Sequence, residues 1–223
     1  MTVLSKKEIV RRLSTRSLVV SPIIHKEQIQ AAAIDLRMGN IALLVRSRGL
    51  SHVDPSHYRK GANIDHKHLQ GQQQKLERFE IPFEKPFLLH PGTLALVPTL
   101  EWVRLPSDIK GVVTARSSWA REGLNIATAN FINPSFKGII TLELANFGEI
   151  PIKLFPGLRV AQIAFYTVGT RTKTRKDSGA MALSQFDGQF EPTAGNLIDD
   201  AVDPFIPRKD SGKIVRASGG AER

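Results

Sequence analysis

The chain contains no cysteine, and that absence excludes more than disulfides. A zinc-dependent nucleobase deaminase needs a His or Cys with two further Cys as ligands, in H-x-E and P-C-x-x-C patterns. Any deamination here must therefore activate water without that zinc. No run of about 18 apolar residues occurs, which excludes a helical membrane span. The opening MTVLSKKEIVRRL is too polar for a secretory signal, so a soluble, cytoplasmic protein is expected, with no membrane partner. Aromatic residues make up only 7% and do not interleave with the basic ones as a single-strand stacking platform requires. Nucleic acid is accordingly not an expected partner. Acidic residues are also outnumbered, and the resulting net charge of +10 suits polyanionic ligands such as nucleoside triphosphates without choosing among them.

What is present points to one β-rich domain. With 41% hydrophobic content, 223 residues bury one sizeable core, assigned to residues 1–194, with 195–223 as a loose C-terminal extension. Ser5-Lys6-Lys7-Glu8 is a capping box, and Ile9, Val10 and Leu13 supply the apolar face of a short helix behind it. Residues 29–40 read as a strand in which Ile34, Leu36 and Met38 alternate with Asp35 and Arg37, ending in a turn at Gly39-Asn40. The default for Asp35 and Arg37 is a solvent-face pair without chemistry. Residues 46–78 form a polar, basic insertion that holds four of the six histidines. Asp65-His66-Lys67-His68 lacks a further convergent ligand and includes a repelling lysine, so no metal site is assigned there. From Phe87 onward, turn residues punctuate short apolar runs at about 8–12 residue spacing, the pattern of a β-sandwich or barrel.

Residues 115–143, ARSSWAREGLNIATANFINPSFKGIITLE, concentrate the chemistry. If Ser117 to Glu122 makes about one helical turn, Ser117 and Arg121 share a face and Gly123 stops the turn. Backbone N–H groups there, with Arg116, would cradle phosphate; a capped surface turn with solvated arginines is the plainer alternative. Residues 139–145 read as a strand whose only charge is Glu143, on one face with Ile139, Thr141 and Ala145. A carboxylate against partly apolar neighbours is suited to carrying protons near neutral pH, whereas a solvated face would leave it ordinary.

Together these residues resemble dCTP deaminase, of the dUTPase superfamily. The matching segments are IQAAAIDLRMGN (29–40), FLLHPGTLALVPTLEWVRLPSDIKG (87–111), ARSSWAREGL (115–124), TANFINPSFKGIITLEL (128–144), LFPGLRVAQIAF (154–165) and SQFDGQFEPT (184–193), in family order across most of the chain. The resemblance implies a mainly β, distorted jelly-roll barrel of the dUTPase type with a short N-terminal helix, assembled as a homotrimer with shared active sites. It implies hydrolytic conversion of dCTP to dUTP and ammonia. Glu143 is implied as the proton shuttle, with Ser117, Arg121 and the Ala129 carbonyl placing water and the reacting amino group. Arg116 and Ser118 would hold phosphates, Asn133 the deoxyribose, and the backbone of Thr141 and Leu142 the base edge. Residues 167–194 would be a lid-like segment, with Gln185 and Gln189 contributing to substrate binding. Magnesium is implied only as a companion of the triphosphate.

Two departures from the family pattern bear on the product and the substrate. Asn133 stands where the family usually has Asp, and an amide cannot act as the proton-accepting base used for phosphate hydrolysis. Gln185 stands where the lid usually has the lysine that meets the triphosphate. Asn133 thus weighs against a dUTPase or bifunctional deaminase and diphosphatase, which is kept as the first alternative, and both departures leave a catalytically weak nucleotide-binding regulator of the same fold as the second.

Overall fold

The computed structural model describes residues 2–46, 53, 75–126, 130–169 and 188–192. Ala129, Gln185, the histidines of the insertion and the C-terminal extension lie outside the described residues. The chain divides into two units, residues 1–46 with 76–194 and residues 47–75 with 195–223, and every element below belongs to the first.

The chain opens with α1 (Lys6–Ser14), where the Ser5 hydroxyl accepts the Glu8 backbone N–H at 3.4 Å, as the capping-box pattern predicts. Glu8 turns outward instead of reaching back to Ser5 and pairs with Arg11 and Arg12, at 2.6 and 2.9 Å. These two arginines, Arg11 foremost, hold its carboxyl down at about 2. Ile9 is fully buried and Leu13 packs on the core, but Val10 is exposed. The expected apolar face is thus narrower than drawn, because adjacent helical residues point about 100° apart.

The strands follow as β1 (Val19–Ser21), β2 (Ala33–Arg37), β3 (Ile41–Val45), β4 (Leu76–Glu80), β5 (Phe87–Leu89), β6 (Leu94–Arg104) and β7 (Ile109–Ala115). A one-turn helix, α2 (Ser117–Arg121), leads into β8 (Leu124–Ile126), β9 (Phe131–Ile132), β10 (Lys137–Asn146), β11 (Ile152–Leu154) and β12 (Arg159–Thr167). One antiparallel sheet has the order β4-β3-β6-β10-β8, with β1 also on β6; a second has the order β2-β12-β7-β9; β5 and β11 form a separate pair. The expected mainly β architecture is what forms. The core takes the alternate residues of these strands, among them Leu36, Val97, Val103, Leu142, Ile163 and Phe165.

Two features were not anticipated. β6 continues through Pro98, which lies opposite Thr141 where the β6–β10 register shifts. The irregularity accommodates a residue that cannot donate to the ladder. In β2, Asp35 and Arg37 are not a solvent-face pair: their residues are 1% and 6% exposed. Ile34, Leu36 and Met38 enter the apolar core, and the opposite face is covered too, so the charged residues sit in an internal polar network.

In that network Arg37 donates its backbone N–H to Glu101 Oε2 at 2.8 Å, and its Nη1 pairs with Glu101 Oε1 at 3.2 Å and with Gln28 Oε1. Gln28 Nε2 donates to Glu101 Oε1 at 2.8 Å and to the Asp35 carbonyl at 2.9 Å. Burial pushes the Glu101 carboxyl up, against the opposing pull of Arg37.

Candidate active site

Ser117 and Arg121 lie on one turn of α2, and Glu122 and Gly123 close it through backbone bonds to Trp119 and Ala120. Gly123 adopts φ +88°, and a Cβ there would stand 2.7 Å from the Gly148 backbone nitrogen. Only glycine satisfies both demands, so the predicted stop signal is also a close-packing site. Asn146, fully buried, secures the facing loop: its Nδ2 donates to the Leu89 and Ile150 carbonyls, each at 2.8 Å, and its Oδ1 accepts Gly148 N–H at 2.8 Å.

Arg116, Ser117 and Ser118 line an open cleft of about 480 Å³, together with Gln30, Ala31, Asp35, Gln162 and Tyr166 among others. Both serines are exposed and make no side-chain hydrogen bond among the described residues, so their hydroxyls are available to a ligand. Beneath them Asp35 faces two cations, Arg116 at 3.5 Å and Arg159 at 3.2 Å. The cleft thus pairs hydroxyls with guanidinium donors over a buried counter-charge, a combination suited to an anion.

A second group of residues gathers on β10. Burial alternates along the strand: Ile140, Leu142 and Leu144 are buried, while Ile139, Thr141 and Glu143 are half-buried on the other face. Ala145, on that same face, is buried. The Glu143 side chain makes no hydrogen bond or ion pair among the described residues. β8 accompanies β10 only from Leu144 to Asn146. At the other end Gly188 N–H donates to the Lys137 carbonyl at 2.6 Å, and the Gln189 carbonyl accepts Ile139 N–H at 3.2 Å. Among the described residues, the β10 edge between these two contacts has no strand beside it at Thr141 and Leu142. Asn133 is exposed after β9, and Gln189 reaches the start of β10.

The structure therefore gathers Arg116, Ser117 and Ser118 in one place, and Thr141, Leu142, Glu143 and Gln189 along another. The cleft lining includes neither Glu143 nor Arg121 nor Asn133. Two residues that sequence reasoning passed over, Asp35 and Arg159, stand behind the cleft. The signal for the first was available in the alternation of Asp35 and Arg37 within an otherwise apolar strand, but a charged face reads the same whether water or other residues cover it. Among the described residues no three His, Asp or Glu side chains converge as a metal-ligand set.

Comparison with known proteins shows the family. Residues 3–168 match the family described as dCTP deaminase-like, a span that runs from the approach to α1 to the end of β12. The chain belongs to the dCTP deaminase-like family. It is 38% identical over 87% of its length to a protein of Dictyoglomus turgidum named dCTP deaminase, dUMP-forming, covering 94% of that protein. A relative from Methanosphaera stadtmanae with the same name is 34% identical over 90% of the chain and 96% of its own length. The fold is also similar to the crystal structure of 2'-deoxycytidine 5'-triphosphate deaminase from Agrobacterium tumefaciens, with a TM-score of 0.55 at 23% identity, covering 75% of this chain and 48% of that one. The relatives' names depart from the expected dUTP product, since they specify dUMP.

Proposed function

We propose that the chain catalyses hydrolytic deamination of dCTP, with Glu143 as the group that moves the protons. The observation that carries this reading is Glu143 itself: a half-buried carboxylate with no partner among the described residues, on a strand of a chain whose relatives are named dCTP deaminases. Glu143 takes a proton from water as the oxygen adds to carbon 4 of cytosine. It passes that proton to ring N3, then moves the hydroxyl proton of the tetrahedral intermediate to the amino nitrogen, so that the carbon–nitrogen bond breaks, ammonia leaves and carbon 4 becomes a carbonyl. The backbone of Thr141 and Leu142 reads the base, and the Ala129 carbonyl orients the water. Arg121 and Ser117 stabilise the developing charge. Arg116 and Ser118 hold phosphates, Asn133 the sugar, and Gln185 and Gln189 close over the nucleotide. Magnesium accompanies the phosphates, and no step uses zinc.

The phosphate cleft and the β10 carboxylate are distinct groupings within one chain, which supports a homotrimer in which neighbouring copies complete each site. Mixing inactive Glu143→Gln and Ser117→Ala proteins under subunit exchange tests this. Regained ammonia release is expected, and none would mean that each chain works alone.

A second reading of the product has its own observation. The relatives are named dUMP-forming, and dUMP from dCTP would require a phosphate bond to be hydrolysed as well. Asn133 opposes it, because its amide cannot take a proton from the attacking water. Accumulation of dUTP is therefore expected here, and dUMP from the wild-type chain would show that another group replaces the missing carboxylate. Ammonia release from dCTP is the test of the main reading, and its absence with all cytosine nucleotides would leave a binding protein.

A further inference from the structure

Asp35 is a buried carboxylate that the reaction scheme leaves without a role. It is 1% exposed, and its Oδ1 has no hydrogen-bond partner. That oxygen stands 3.5 Å from Arg116 Nε, while Oδ2 lies 3.2 Å from Arg159 Nη1 and 3.4 Å from Gln30 Nε2. An incompletely bonded carboxylate is costly inside a protein, so a fold that keeps one needs a compensating return.

The surroundings supply it. Arg116 is fixed at its backbone, where its N–H donates to the Val160 carbonyl at 3.1 Å and its own carbonyl accepts Ala120 N–H at 3.0 Å. Among the described residues Asp35 is the only side-chain partner of its guanidinium. Contact through Nε leaves the two terminal nitrogens of the fork free for an anion in the cleft. Arg159 shares the carboxylate and its backbone carbonyl accepts Trp119 Nε1 at 3.0 Å, so the same stretch of β12 also anchors α2 and its serines. One negative charge between two arginines leaves a net positive site beside Ser117 and Ser118.

We propose that Asp35 is a positioning residue for substrate phosphate: it holds Arg116 through Nε so that the guanidinium fork faces the phosphates. This rests on the reading of Arg116 as a phosphate ligand. Positioning and simple electrostatics predict opposite results for Asp35→Asn, because removing a negative charge beside the cleft by itself tightens anion binding.

The experiment titrates inorganic tripolyphosphate against wild-type protein, Asp35→Asn, Arg116→Gln and the double variant, and measures dCTP kinetics for the single variants. Loss of a positioned charged contact is expected to weaken tripolyphosphate about tenfold in Asp35→Asn and to raise KM for dCTP by a similar factor, with kcat changed less than about twofold. In the Arg116→Gln background, Asp35→Asn is expected to add no further loss. Unchanged or tighter tripolyphosphate binding in Asp35→Asn, or an equal loss in both backgrounds, overturns the proposal, as does a wild-type protein that does not bind tripolyphosphate.

Arg116→Lys decides the matter if Asp35→Asn does not fold. A single ammonium cannot serve Asp35 and phosphate as a fork does, so about tenfold weaker binding is expected despite the retained charge, and wild-type affinity overturns the proposal. A wild-type protein that binds tripolyphosphate but releases no ammonia from dCTP contradicts the deaminase reading alone. Ammonia release with unaltered affinity in Asp35→Asn contradicts this inference alone.

Discussion

β2 and β10 each carry one carboxylate among mostly apolar residues, and the protein treats the two in opposite ways. Asp35 on β2 is sealed from solvent and shared between Arg116 and Arg159. Glu143 on β10 is half-buried and has no described partner. A carboxylate held between two guanidiniums is fixed in its place, which suits a structural anchor. One with no partner among the described residues keeps both oxygens available to a ligand, which suits the proposed shuttle. In the proposed mechanism the contrast separates the work of binding from that of proton transfer.

Neutralising each carboxylate tests the comparison at its strongest point. Glu143→Gln is expected to lower kcat for ammonia release by about 10²–10⁴-fold while leaving the thermal unfolding midpoint nearly unchanged, because no described interaction of its carboxylate is lost. Equal losses of activity and stability would erase the distinction between the two strands. The neighbouring buried pair gives the converse: Glu101→Gln strands Arg37 without its counter-charge and is expected to cost roughly 3–5 kcal/mol in urea unfolding.

Smaller effects refine the picture. Gly123→Ala forces a side chain at φ +88° and against the Gly148 backbone, so a loss of more than about 1 kcal/mol is expected in unfolding, with lower dCTP activity as α2 shifts. Asn133→Asp places a proton acceptor at the exposed position after β9, and an increased share of dUMP among the products is expected by ion-exchange chromatography. The smallest effect concerns α1. Arg11 and Arg12 hold Glu8 at about 2, below its ordinary 4.5, so its contribution is present above pH 4.5 and is lost as pH falls toward 2. Glu8→Gln is expected to flatten that part of an acid-unfolding curve, modestly, because the pair is at the surface.

The sequence was most legible where local rules act alone. Ser5 caps α1, Gly123 ends α2, and the alternation of residues 139–145 appears as the middle of β10. It was least legible where a second element decides the environment. Nothing local distinguishes Asp35 and Arg37 facing water from the same residues covered by Gln28, Glu101 and the arginines of other segments. Pro98 likewise reads as a strand end, and only the register shift opposite it on β10 lets β6 run on. Of the candidate site, the residues could be named in advance, but not their division between a cleft and a strand edge. That division depends on how two sheets fold, which no single segment encodes. Ala129 and Gln185 lie outside the described residues, so their roles stay with the proposal.

The most direct measurement incubates the wild-type protein with dCTP and magnesium, assays ammonia, and separates the nucleotides, with Glu143→Gln in parallel. The account predicts ammonia and dUTP from the wild type and neither from the variant. Ammonia release that persists in Glu143→Gln would contradict it, because proton transfer would then have to come from a group other than the half-buried carboxylate of β10.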